Sequence, residues 1–213
     1  MQSQYKLCFL DLETTGYDPL KRSGDVLRPW HEIIEIGAAV ADFDSLEIEK
    51  EFEVKINPQH PERCMSGLVN DYQNRFQKGE WDNSVSMLQA VVTFLDFCKG
   101  CKSKLVLAGQ NISFDWSFMN VALILARVHE NYSSDIFHYA KIDIRSMAVQ
   151  ELLGARPYNP DDYSLRFNKL SERLGISQES YPHKALNGAR QAHLVYKKLR
   201  EYQYFLSTIF LTI

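Results

Sequence analysis

Residues 5–10 (YKLCFL) form a short apolar run that stops abruptly at charge, the pattern of a buried strand. Residues 33–42 (IIEIGAAVAD) and 47–56 (EIEKEFEVKI) are separated by FDSL and read as a hairpin. In the second run Ile48, Phe52, Val54 and Ile56 recur nearly every other residue, the period of a half-buried strand. Helical spacing then takes over. Val85, Leu88, Val92 and Leu95 share one helix face, with Asn83 or Ser84 as N-cap. A strand follows at 104–109 (KLVLAG), and Phe118, Val121, Leu125 and Val128 mark a helix that begins near Asp115. Residues 138–142 read as a last strand and 144–153 as a helix. Tyr163, Phe167, Leu170 and Leu174 give another helix, closed by Gly175 at a natural C-terminal cap. Ala185, Ala189, Ala192, Tyr196 and Leu199 give the final one.

Three strands in a meander, then strands alternating with helices, predict an α/β sandwich around a mixed sheet. Residues 16–31 and 57–82 read as long irregular connections, which are usually functional or mobile. The first leaves from the most acidic strand end, so it is expected to border a site. Its Lys21, Arg22 and Arg28 are either phosphate contacts or solvated charges.

Composition narrows the functional classes. A chain of 213 residues fits a single domain, 1–213, with a sizeable core. The formal net charge of −3 argues against a broad basic surface for duplex binding, although a small site gripping one strand end needs none. Cys8, Cys64, Cys98 and Cys101 form no disulfide framework in a chain without a signal peptide, which points to a reducing, cytoplasmic setting. Cys98 and Cys101 make a lone CxxC without the second ligand pair that zinc requires. The terminal YFLSTIFLTI is half the length of a membrane span and is compatible with packing on the core or in a homodimer.

In FLDLETTG, Asp11 and Glu13 are two apart on a strand and therefore point to the same side. Two adjacent ionised carboxylates are costly unless cations sit between them, and hard Mg²⁺ or Mn²⁺ suit such oxygen ligands. The plainer reading is a solvated strand end. In GQNISFDWSFM, Asp115 opens a helix, where the helix dipole alone would favour an acid. His183 follows Pro182 just before the last helix, and a lone surface histidine usually does nothing.

The order of these pieces carries more than each alone. DLETTG, EIIEIGAAV, NISFDWSFM and HKALNGARQA together resemble the 3′–5′ exonuclease superfamily with a four-carboxylate-plus-histidine site, the ribonuclease T and DNA polymerase III proofreading-subunit type. The resemblance runs from about Tyr5 to Leu199. It implies a ribonuclease H-like α/β fold, a five-stranded mixed sheet flanked by helices. It also implies two Mg²⁺ or Mn²⁺ ions per site and removal of nucleotides from the 3′ end of single-stranded DNA or RNA by two-metal phosphodiester hydrolysis. Asp11, Glu13 and Asp115 are then the metal ligands and His183 the general base. Leu12, Thr14, Asn111, Phe114 and Phe118 are the implied substrate-binding positions.

One position departs from the pattern. The family places a fourth aspartate five residues after the histidine, where this chain has Gly188, preceded by Asn187. Three consequences are open: a silenced relative that binds 3′ ends or a partner protein, a weak neutral ligand from Asn187, or water in the vacated place. The retained Asp11, Glu13, Asp115 and His183 favour a working, if impaired, exonuclease.

Overall fold

Alternation along the first strand sorts the whole molecule into layers. In β1 (Tyr5–Thr14), Cys8, Leu10 and Leu12 face one side while Leu7 and Phe9 face the other. The computed structural model describes residues 4–128, 135–153, 166–179 and 181–210, without the side chains of 66–71, 151–153 and 203–210. Within it, β1 is followed by the small hairpin β2 (Leu20–Ser23) and β3 (Val26–Pro29), and then by β4 (Ile33–Asp42) and β5 (Ile48–Lys55). Helices α1 (Ser66–Gln77) and α2 (Met87–Lys99) precede β6 (Lys104–Gly109) and α3 (Ile112–Leu125). The chain continues through β7 (Phe137–Asp143), α4 (Ile144–Leu153), α5 (Phe167–Arg173) and α6 (Ala185–Phe210).

The main sheet has five strands in the order β5-β4-β1-β6-β7. β4 runs antiparallel to both β1 and β5, whereas β6 is parallel to β1 and to β7. This is the expected α/β, ribonuclease H-like arrangement with a mixed five-stranded sheet. One face carries α2 and α3, packed through Phe94, Leu95, Met119 and Leu123 onto Leu10, Val40 and Leu107. The other carries α4, α5 and α6, packed through Ile144, Leu170, Val195 and Tyr196 onto Phe9, Ala41 and Val106.

β1 carries both carboxylates within the strand, as expected, and pairs with β4 through Asp11↔Gly37 and Glu13↔Glu35. Three other expectations change, each for a local reason. Residues 16–31 are not irregular throughout, since they contain the β2–β3 hairpin, turned at Gly24 with φ +61°. Residues 57–82 contain a short 3₁₀ turn at Pro61–Arg63 and α1. The cap of α2 is Ser86, whose side chain accepts from the Gln89 amide, rather than Asn83 or Ser84. The helix starts later because Val85 is held in a bridge beside Ile56. Two boundaries also shift: α3 begins at Ile112, and α5 covers Phe167–Arg173, with Tyr163 outside the described residues.

Gly37 decides how closely α6 sits on the sheet. A Cβ there would overlap the backbone of Ala185 and Leu186, so the first turn of α6 rests directly on β4 beside Asp11. Ala39 and Ala41, small and fully buried on the same face, keep the approach close further along. Replacing Gly37 with alanine is expected to cost about 1–3 kcal/mol, the usual penalty of overpacking, because rigid backbone must move. Urea denaturation of the Gly37→Ala variant against the unmodified chain checks this.

Candidate active site

Asp11 and Glu13 project from the sheet face covered by α6, and both remain partly open to solvent. Asp115 comes from the first turn of α3, in the opposite helical layer, and is only 3% exposed. Asn111 makes its approach possible. With φ +60° it turns the chain sharply between β6 and α3, a left-handed conformation that asparagine tolerates better than most residues. Asp115 Oδ1 then accepts the backbone N–H of Leu12 at 3.0 Å, which ties α3 to β1 between the two other carboxylates.

Each of the three acids resists ionisation. Burial pushes the Asp11 carboxyl well above its ordinary value, and the charges of Asp115, Glu13, Glu179 and Glu35 push it further. Glu13 is raised to about 7, by burial first and then by Glu35, with His183 and Arg75 pulling it back. Asp115 is raised to about 8 by burial, against the restraining hydrogen bond from Leu12. A cluster of hard oxygen donors kept from ionising by burial and mutual repulsion suits a divalent cation, whose charge would reverse every one of these shifts. Among the described residues no three His, Cys, Asp or Glu side chains form a group that could hold a metal ion as they stand.

Glu35, in the β4 segment EIIEIGAAV, carries no sequence signal of its own. That residue is fully buried directly opposite Glu13. Its carboxylate is held by Arg75 Nη2 at 2.6 Å, with Lys55 Nζ at 3.7 Å. Arg75, itself buried, also donates from Nη1 to the His183 carbonyl at 2.8 Å and lies 3.3 Å from Glu80. One cation on α1 thus neutralises the inner acid and fastens the segment that carries His183. No sequence signal marked it, because α1 lies in a stretch that read as irregular.

His183 is exposed by 46% and holds Glu179 Oε2 at 2.9 Å from its Nδ1. Gly188 lies in the first turn of α6 against Asp11, where an added Cβ would overlap Asp11 Oδ2. Position 188, five residues after His183, therefore does face the cluster, and Asp11 itself fills the space. Asn187 is partly buried beside it. Of the substrate positions, Leu12 and Phe118 are buried, Thr14 is buried with its hydroxyl donating to the Gly16 carbonyl, and Phe114 is half-buried against Phe118 at 5.1 Å. Cys98 and Cys101 are buried thiols, and burial raises both above the ordinary thiol range, which disfavours the thiolate that zinc would need. No helix among the described residues is long and apolar enough to cross a membrane. The side chains of 203–210, and with them most of YFLSTIFLTI, lie outside the description.

A groove of about 760 Å³ opens beside the carboxylates rather than over them. Arg28, Trp30 and Arg63 line one wall, and Phe118, Leu125 and Arg127 another. Lys21 and Arg63 both lie over the Trp30 ring, at 4.1 and 4.7 Å. Glu32, the acid in this wall, is occupied by the backbone N–H groups of Gln59 and His60. The groove is therefore basic and aromatic in a chain of net negative charge.

The profile of the exonuclease family RNase_T matches residues 8–196, nearly the whole chain. The protein belongs to that family. Among solved structures, the chain aligns with the nuclease domain of 3′hExo, a DEDDh family member bound to rAMP, at TM-score 0.67 and 19% identity, over 93% of this chain and 92% of that one. A 3′-exonuclease recognising the 3′ end of a histone mRNA stem-loop aligns at 0.66 and 19% identity, over 93% of this exonuclease and 63% of that chain. A zinc-bound E. coli ExoI–ssDNA complex aligns at 0.67 and 14% identity, over 99% and 43%. The chain thus spans less than two thirds of the stem-loop-binding exonuclease and less than half of exonuclease I. At these identities the structures establish the shared fold. A comparison of the sequence with curated proteins gives no significant match.

The raised carboxyls predict a pH dependence whose sign is fixed. A group held above its unfolded value contributes stability that is complete below about pH 4 and is lost as pH rises through the folded value. With Glu13 near 7 and Asp115 near 8, the metal-free exonuclease is expected to lose thermal stability progressively between about pH 4 and 8. Mn²⁺ should restore it most at the alkaline end, and Asp11→Asn should flatten the metal-free slope. Thermal melts at stepped pH in EDTA and in Mn²⁺ measure all three effects.

Proposed function

We propose that this exonuclease is a metal-dependent 3′–5′ enzyme, one domain over residues 1–213, that shortens single-stranded DNA or RNA by hydrolysing its terminal phosphodiester. The observation that carries the reading is the exonuclease-family match over residues 8–196 together with the geometry that ties Asp115 to the Leu12 amide between Asp11 and Glu13, with His183 exposed just before α6. Asp11, Glu13 and Asp115 would hold two Mg²⁺ or Mn²⁺ ions. Bound there, such ions supply a nucleophile from water at neutral pH and offset charge on the leaving 3′ oxygen.

The chain's own residues do the rest. His183, at the rim of the cluster, accepts the proton of the attacking water. The Leu12–Thr14 backbone, fixed between β4 and the Asp115 carboxylate, seats the terminal nucleotide, with Asn111 at the turn beside it. Phe114, the more open of the ring pair, offers a face to a base, and Leu12 and Phe118 form the apolar floor. The basic groove with Trp30, Arg63 and Arg127 receives the strand behind the terminal nucleotide by phosphate contact and stacking. Gly188 lowers the anionic charge available to the ions and so weakens their binding without removing the ligands that remain.

The test uses 3′- and 5′-labelled single-stranded DNA and RNA with Mg²⁺, Mn²⁺ or EDTA, with Asp11→Ala as the blank. Metal-dependent shortening from the 3′ end, reduced at least about 100-fold by Asp11→Ala, is expected. Oligonucleotide binding without product in any metal would replace this reading with that of a silent binding module.

A further inference from the structure

We propose that Glu179 is the positioning carboxylate of His183, holding the imidazole so that Nδ1 carries the proton and Nε2 faces the reacting water. The inference rests on the nuclease reading for its catalytic meaning, and on the geometry alone for its structural content. Glu179 Oε2 lies 2.9 Å from His183 Nδ1, and Oε1 accepts the Lys184 backbone N–H at 3.2 Å. Both oxygens are therefore engaged, and the side chain is only 7% exposed although it lies in the polar stretch SQESYPH.

An ionised carboxylate can only accept, so the nitrogen facing it must be the donor. That assigns the neutral ring's proton to Nδ1 and its basic lone pair to Nε2. The second contact fixes where this pair stands. Lys184 immediately precedes α6, whose first turn rests on Gly37, so Glu179 ties the ring to the same turn that places Gly188 against Asp11. Arg75 secures the other side of this segment through the His183 carbonyl. The ring edge also meets Tyr181, with centroids 6.0 Å apart. Glu179 further contributes to the field that raises Asp11 and Glu13, which places its charge within reach of the cluster.

The experiment has two arms. In the first, long-range ¹H–¹⁵N NMR of histidine-labelled protein reads the His183 tautomer in the unmodified chain and in Glu179→Gln. The Nδ1–H form is expected to predominate in the former and to give way to a mixture in the latter. Glutamine keeps an oxygen for the Lys184 amide, and thermal melts verify that the fold is intact. In the second arm, Glu179→Gln is expected to lower kcat about 10- to 100-fold with KM little changed, the range found when an orienting partner is removed. The loss should vanish in a His183→Ala background. An unchanged tautomer in Glu179→Gln, or an equal rate loss in the His183→Ala background, overturns the proposal. If the unmodified chain cuts nothing, the nuclease reading fails, and the tautomer arm still decides the role of Glu179.

Discussion

The seating of α6 on Gly37 is the constraint from which the site follows. α6 carries Gly188 and is preceded by His183, whereas Asp11 and Glu13 stand on β1. These groups meet only if the helix comes down to the strands without side chains between. Gly37, paired with Asp11 across β1 and β4, removes a Cβ that would meet the helix backbone and hold it away. The alanines that follow it in β4 continue the close contact, and the apolar stripe from Ala189 to Leu199 holds it with ordinary core packing.

Bringing so many acids together creates an electrostatic debt that the fold settles unevenly. Glu35, the deepest, receives Arg75 and Lys55. Asp115 receives a backbone N–H, while Asp11 and Glu13 have burial and like charges around them. The structural acid thus receives cationic partners, although burial still raises its carboxyl, whereas Asp11 sits among like charges.

Much of this was legible in the sequence, in ways that show what carries such signals. The run YKLCFLDLE announced both a buried strand and a same-side acid pair, because strand alternation is a local rule. FDWSFM on a helix start and His183 before a helix were likewise local. Arg75 and Glu179 were not, since their meaning lies in contacts with Glu35 and His183 that depend on where α1 and the 176–184 segment pass. The β2–β3 hairpin escaped because both strands are fully exposed, leaving no apolar period to read. Gly188 was visible as a departure from the family pattern, but its position against Asp11 required the helix to be placed.

The central claim is that the cluster binds its cations with glycine at 188. Isothermal titration of Mn²⁺ into the unmodified chain, Gly188→Asp and Asp11→Ala tests it most directly. The account predicts saturable binding by the unmodified chain, tighter binding by Gly188→Asp once Asp11 yields space, and none by Asp11→Ala. Binding by Gly188→Asp alone would contradict it and make the glycine a lesion.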